Sequence, residues 1–312
     1  MAYSQGYFVL FSFLSFALPY TFLKIAIPGL FSKFNVVPNK RSAHKVCTPT
    51  AAGAVFIFPI LVLIFVYKAL YRLPLIIAWL MGLIDDSKGI SPAIRLLIQG
   101  FATSIIFSHL FQANDHITLY LLFPLLIFIG VGITNFINFM DGVDGLVSSS
   151  FLILTVFYSF LFDYRFLLFS FTLLSLLIFN WSPAKIFIGN VGSYFLGTLL
   201  IFQILFTQSP LDSLSILLVS SPLLIDPSVC IIRRFLAGQK LSEPHQLHLY
   251  QRLYLAGWTH SQVSSIYLTA ISLMAIAYCL FGIYILTTLF LVIISLGIWL
   301  SKYKAKPFLE CL

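Results

Sequence analysis

The sequence predicts an all-α, polytopic membrane protein of about 10–11 transmembrane helices. Three observations predict it. Of its 312 residues, 60% are hydrophobic and only 9% are charged, and the mean hydropathy is +1.01. A soluble domain averages about 45–50% apolar and about 25% charged residues, so burial in a soluble core does not account for this composition. Apolar runs recur along the whole chain, and the cations gather in alternate loops.

In chain order, the apolar stretches lie near 6–31, 51–71, 73–84, 96–111, 117–139, 145–162, 166–180, 191–207, 213–235, 262–280 and 282–300. A helix needs roughly 20 apolar residues to cross a bilayer. The third and seventh stretches are short and are expected to be tilted or extended by their loops. The last two are separated only by the segment around Cys279 and Gly282. The first stretch is followed by a basic loop and no small-residue cleavage site, so it reads as a retained span and not as a leader. With no internal repeat and no long linker, residues 1–312 read as one transmembrane domain.

Charge tests this segmentation. Loops after odd-numbered stretches carry Lys33, Lys40, Arg41, Lys45, Lys88, Arg95, Lys185, Arg233, Arg234, Lys240 and Arg252, and the C-terminal segment adds Lys302, Lys304 and Lys306. The other side holds only Lys68, Arg72 and Arg165. Cytoplasmic loops of membrane proteins carry the excess of Lys and Arg, which places the N-terminus outside and the polar motifs inside. The same bias explains the net charge of +8. No basic stripe lies outside these loops, so a nucleic-acid partner is not expected. The four cysteines form no CxxC pair and read as free thiols.

Five segments carry chemistry. Asp85-Asp86 closes an apolar run in GLIDDSKGISP, where two adjacent carboxylates repel unless a cation sits beside them. In NFINFMDGVDGL, Asn135, Asn138, Asp141 and Asp144 recur at steps of three, which on a helical turn brings their oxygens roughly to one face. Such a set suits Mg²⁺, a hard cation that takes oxygen ligands. In NWSPAKIFIGNVGS, Lys185 is a point charge suited to phosphate, and Gly189–Ser193 opens a helix whose N-terminus attracts anions. PHQLHLYQRL places His245, His248 and Arg252 within one helical face's reach. PNKRSAHKVCTPT clusters Lys40, Arg41, His44 and Lys45. Asp226, inside an apolar stretch, is an intramembrane carboxylate with Arg233 and Arg234 as nearby partners.

In this order over residues 36–255, the five segments resemble the polyprenyl-phosphate N-acetylhexosamine-1-phosphate transferase family, and HLYQRL with AGWTHSQV looks most like its bacterial O-antigen and capsule initiating branch. The resemblance implies that a UDP-N-acetylhexosamine donates sugar 1-phosphate to undecaprenyl phosphate with release of UMP. It implies Mg²⁺ as cofactor, with Mn²⁺ as substitute, and lipids or a second copy of the chain as further partners. By the same resemblance, Asp85, Asp86, Asp144 and His248 would be catalytic. Lys45, Asn138, Asp141, Asn180, Phe187, His245 and Arg252 would bind nucleotide, diphosphate and sugar. Asp86, Asp141 and Asn190 would face the metal.

One departure stands out. The family typically has Asp where this chain has Asn190, in the string FIGN. Asn keeps an oxygen and loses the charge, which predicts weaker metal binding and admits a member that binds substrate without turnover. An aromatic-acceptor prenyltransferase would need NDxxDxxxD and DxxxD spacings, which NFMDGVDG does not match. A transporter would hold its polar residues near the midplane, whereas these crowd one side.

Overall fold

The computed structural model describes residues 2–29, 35–36, 48–66, 72–113, 117–241, 243 and 245–311. The expected Lys40, Arg41, His44 and Lys45 cluster lies outside the described residues. The fold is all-α apart from one two-residue antiparallel pairing, β1 (Asn35–Val36) with β2 (Thr48–Pro49). The helices are α1 (Ala2–Ala26), α2 (Ile57–Leu61), α3 (Leu73–Lys88), α4 (Pro92–Ala113), α5 (Ile117–Met140), α6 (Leu146–Leu161), α7 (Leu167–Asn180), α8 (Gly189–Leu205), α9 (Pro210–Leu236), α10 (Leu249–Leu255) and α11 (His260–Tyr303). A 3₁₀ turn, Ala52–Phe56, leads into α2, and a π-helical turn, Val62–Val66, leaves it.

Every apolar stretch of the sequence finds a helix here. Among the described residues, four helical stretches are long and apolar enough to cross a bilayer alone: Tyr7–Ala26, Leu121–Met140, Pro210–Leu236 and His260–Tyr303. α11 is two helices in one run. Gly282, at φ 75° and ψ −164°, breaks it where the sequence separates 262–280 from 282–300. Large apolar side chains face outward along the bundle, among them Leu121, Phe128, Leu280 and Tyr284. That surface is stable only against lipid, so the chain is a multi-pass membrane protein.

α8 is the axial helix. From Val191 to Ile204 every residue is buried, as expected for a helix apolar on all sides. It packs against α3, α5, α4, α9 and the 52–56 turn. Glycines make these approaches close, as small residues do between membrane helices. A Cβ on Gly82 of α3 would lie 2.6 Å from the Asn190 carbonyl oxygen, and one on Gly197 of α8 would lie 2.6 Å from Thr134 Cα. Gly82→Ala is therefore expected to force α3 off α8, costing about 1–3 kcal/mol. A lower Tm in detergent would register this, and an unchanged Tm would contradict the packing.

The bundle's two ends differ. At one end, Arg72 is buried and donates Nη2 to Asp163 Oδ2 at 2.7 Å, with its guanidinium beside Phe166 and Phe202. These groups come from loops after even-numbered stretches. The ends of α3, α5 and α7 meet at the other end, where Asp86, Asp141 and Asn180 come together.

Candidate active site

α3 runs four residues past its expected end at 84, so Asp85 and Asp86 stand on its last turn and not in a loop. Gly89, at φ 72°, ends the helix, and Asp85 Oδ1 accepts the Ile90 N–H at 2.8 Å. Asp85 Oδ2 accepts the Tyr194 hydroxyl at 2.8 Å, and Arg95 donates to that same hydroxyl at 3.0 Å while lying 3.8 Å from the carboxylate. Asp86 turns the other way and accepts Asn190 N at 2.9 Å and Val191 N at 3.0 Å. It thus caps the N-terminus of α8, where unpaired N–H groups favour negative charge. Gly189 adjoins it at φ 72°, and a Cβ there would lie 2.5 Å from Asp86 Oδ2.

α5 ends at Met140, so Asp141 to Gly145 form a turn and the helical spacing stops there. Asn138 Oδ1 accepts the Ser193 hydroxyl at 3.2 Å. Asp144 Oδ2 accepts Ala184 N at 3.1 Å, and its Oδ1 lies 3.5 Å from His260 Nδ1. Asn135 departs from the expected common face: it donates to Gln99 Oε1 at 2.8 Å, between α4 and α5. Below the turn, Asn180 Nδ2 donates to the Ile186 carbonyl at 2.9 Å and Asn180 Oδ1 accepts Ser148 Oγ at 2.5 Å. Phe187 N donates to the Pro49 carbonyl and Ala52 N to the Phe187 carbonyl, which brings Thr50 beside Phe187.

These pieces enclose one cavity of about 500 Å³. It is walled by Asp85, Asp86, Asn138, Asp141, Asp144 and Asn190, with Asn180 and Phe187 at its side. α10 closes it with Gln251, Tyr254 and Leu255, and Gln246 precedes them. No Lys, Arg or His is among the lining residues described. Burial, then the charges of Asp86 and Asp144, push Asp141 up to about 8. A site so rich in carboxylates and amide oxygens fits a hard divalent cation, which would relieve that repulsion.

Several expected residues stand apart from the cavity. Lys185 is exposed and is not among the lining residues. Arg252 is buried and donates to the Lys306 carbonyl at 2.9 Å and to Ser301 Oγ, holding the C-terminal segment. His245 and His248 lie behind the wall, where His248 stacks between Phe139 and Tyr250. Asp226 pairs with neither Arg233 nor Arg234; it accepts Leu249 N at 2.7 Å, Tyr250 N at 3.2 Å and the Tyr267 hydroxyl at 2.7 Å, and so caps α10. Arg234 instead donates to the carbonyls of Lys240, Leu241 and Glu243. Thr50, Gln246, Gln251, Tyr254 and the Tyr194–Arg95 pair are additions. Thr50, Gln246 and Gln251 lie inside segments already singled out, whereas Arg95, Tyr194 and Tyr254 lie just outside them.

The sequence resembles those of known proteins. The sequence model of glycosyl transferase family 4 matches residues 69–208. A probable undecaprenyl-phosphate N-acetylglucosaminyl 1-phosphate transferase of Bacillus subtilis is 33% identical over 261 residues, covering 73% of this chain and 72% of the relative. A putative glycosyltransferase of Methanocaldococcus jannaschii is 28% identical, with 72% and 75% covered. The phospho-N-acetylmuramoyl-pentapeptide-transferase of Dictyoglomus thermophilum is 32% identical over 184 residues, with 50% and 59% covered.

Proposed function

The chain belongs to glycosyl transferase family 4, and from that premise we propose that it transfers N-acetylhexosamine 1-phosphate from a UDP-sugar to undecaprenyl phosphate, releasing UMP and initiating a cell-surface polysaccharide. The observation that carries the reading is the cavity itself: four carboxylates and two amides, from the ends of α3, α5 and α8, meet against a helix N-terminus. In the reaction, an oxygen of the lipid phosphate attacks the sugar-bearing phosphorus. A new P–O–P bond forms, the old one breaks, and UMP carries away the bridging oxygen.

A Mg²⁺ or Mn²⁺ ion held by Asp141, Asp86 and Asn190 would neutralise charge on the diphosphate oxygens. Asp86 holds the α8 N-terminus against the cavity, and the Tyr194 hydroxyl fixes the orientation of Asp85. Asp144, fixed by Ala184 N, faces the same space. Phe187 and Asn180 border the region proposed for the uridine. The lipid phosphate is a dianion and already nucleophilic, so no base is assigned. The cation asymmetry supports an inner-membrane protein with this end in the cytoplasm.

Purified protein given UDP-N-acetylglucosamine, undecaprenyl phosphate and Mg²⁺ is expected to release UMP in step with lipid product. Absence of product with every UDP-N-acetylhexosamine tried would remove the proposal. A pH dependence follows as well. Asp141 binds a proton below about 8, and a cation must displace it. Divalent-ion affinity is then expected to rise about tenfold per pH unit below that value and to level off above it. Calorimetric titration at several pH values checks this; a flat profile would contradict the assignment of Asp141.

A further inference from the structure

The two histidines that the cavity leaves out face a cysteine. Cys230 of α9 and His248 at the start of α10 are 2% and 3% exposed, and His245 is half-buried beside them. One ligand atom from each of the three lies within 4.8 Å of the others. In a tetrahedral zinc site, Zn–S near 2.3 Å and Zn–N near 2.0–2.1 Å put ligand atoms about 3.5 Å apart, so roughly an ångström of adjustment closes the set. We propose that Cys230, His245 and His248 form a binding site for a borderline-soft divalent ion of the Zn²⁺ class, distinct from the diphosphate cavity, that clasps the segment before α10 onto α9.

A second observation points to a ligand independently of this spacing. His248 Nδ1 is buried and makes no hydrogen bond of good geometry: it faces the Gln251 backbone N–H across the α10 capping box, and Asp226 Oδ1 is 3.9 Å away. Buried polar atoms are almost always satisfied, so an imidazole nitrogen so poorly satisfied asks for a partner. The ring is held by stacking on Phe139 and Tyr250, and the His245 ring centroid is 4.9 Å from it. His245 Nδ1 accepts Leu247 N only at 3.3 Å, a long bond that ligation would exchange for a metal contact.

The chemistry sorts the two sites. A thiolate with two imidazoles selects Zn²⁺ over Mg²⁺, while the oxygen-lined cavity does the reverse. Both imidazoles ligate in their neutral form. Binding must release the thiol proton. Asp226, bonded to Leu249 N, Tyr250 N and the Tyr267 hydroxyl, stands behind the set and holds the start of α10 in place. The consequence reaches the cavity, because Gln246 sits between two clasp residues and lines it, as do Gln251 and Tyr254 of α10.

Co²⁺ added to chelator-washed full-length protein in detergent is the probe. The expected result is a thiolate-to-Co²⁺ charge-transfer band that saturates at one equivalent per chain and is displaced by Zn²⁺. It should vanish in Cys230→Ser, weaken at least tenfold in affinity in His245→Asn, and persist in Cys279→Ser and Cys311→Ser. A missing band, or one that survives Cys230→Ser, overturns the proposal. Should Cys230→Ser fail to fold, His245→Asn in the half-buried segment decides: wild-type Co²⁺ affinity there overturns it equally. The readout is independent of sugar transfer, so its failure leaves the proposed reaction untouched, and failure of the reaction leaves the clasp.

Discussion

Asp86→Ala is expected to lower turnover by about 10²–10³-fold, the loss typical when a group that organises charge at a reacting phosphate or carbonyl is removed. Asp86 serves two ends at once. It lines the cavity, and its two oxygens accept Asn190 N and Val191 N at the start of α8. Truncation leaves both donors unsatisfied and costs about 0.5–2 kcal/mol, as a lost N-cap does. Asp86→Asn sharpens the test. Its amide nitrogen must face one of those N–H groups, donor against donor, so the conservative change is also expected to impair. Measuring Tm beside UMP release separates the two effects. Activity at or near wild type in folded Asp86→Ala would remove Asp86 from the site.

Asn190→Asp is expected to act in the opposite direction. Asn190 lines the cavity in the first turn of α8, beside Asp86. It offers a neutral oxygen where the family pattern implies a charged one, and an added carboxylate strengthens binding of a hard cation. Divalent-ion affinity should rise by tenfold or more, and turnover should rise with it if metal occupancy limits the native chain. Equal affinity in both forms would show that the position does not face the ion. A native chain that binds UDP-sugar without releasing UMP, and a variant that releases it, would identify a substrate-binding member of the family.

Much of this site was legible in the chain because membrane segments leave few places for polar groups. Asp85 and Asp86 stand out at the end of an apolar run, and Asp141 and Asp144 stand out between two more. Loop parity then placed them together, since helices of similar length return to the same end. The basic residues were harder. Arg252 and His248 look like diphosphate ligands in a local window, but Arg252 is used by Ser301 and Lys306, about fifty residues away. Asp226 reads as an intramembrane functional charge, yet its partners are the backbone N–H groups of α10, whose position only the folded chain reveals. Asn135 shares the three-residue spacing of its neighbours, but it lies one turn before the helix end and meets Gln99. Periodicity continues through a helix terminus on paper; the backbone stops following it at Met140.

Divalent-ion-dependent binding of UDP to the purified protein tests the central claim most directly, read by calorimetry on wild type and Asp141→Asn. The account predicts tight binding only with Mg²⁺ or Mn²⁺ present in wild type, and loss of that dependence in the variant at unchanged Tm. UDP bound equally well without the ion, or with the same ion dependence in Asp141→Asn, would contradict it.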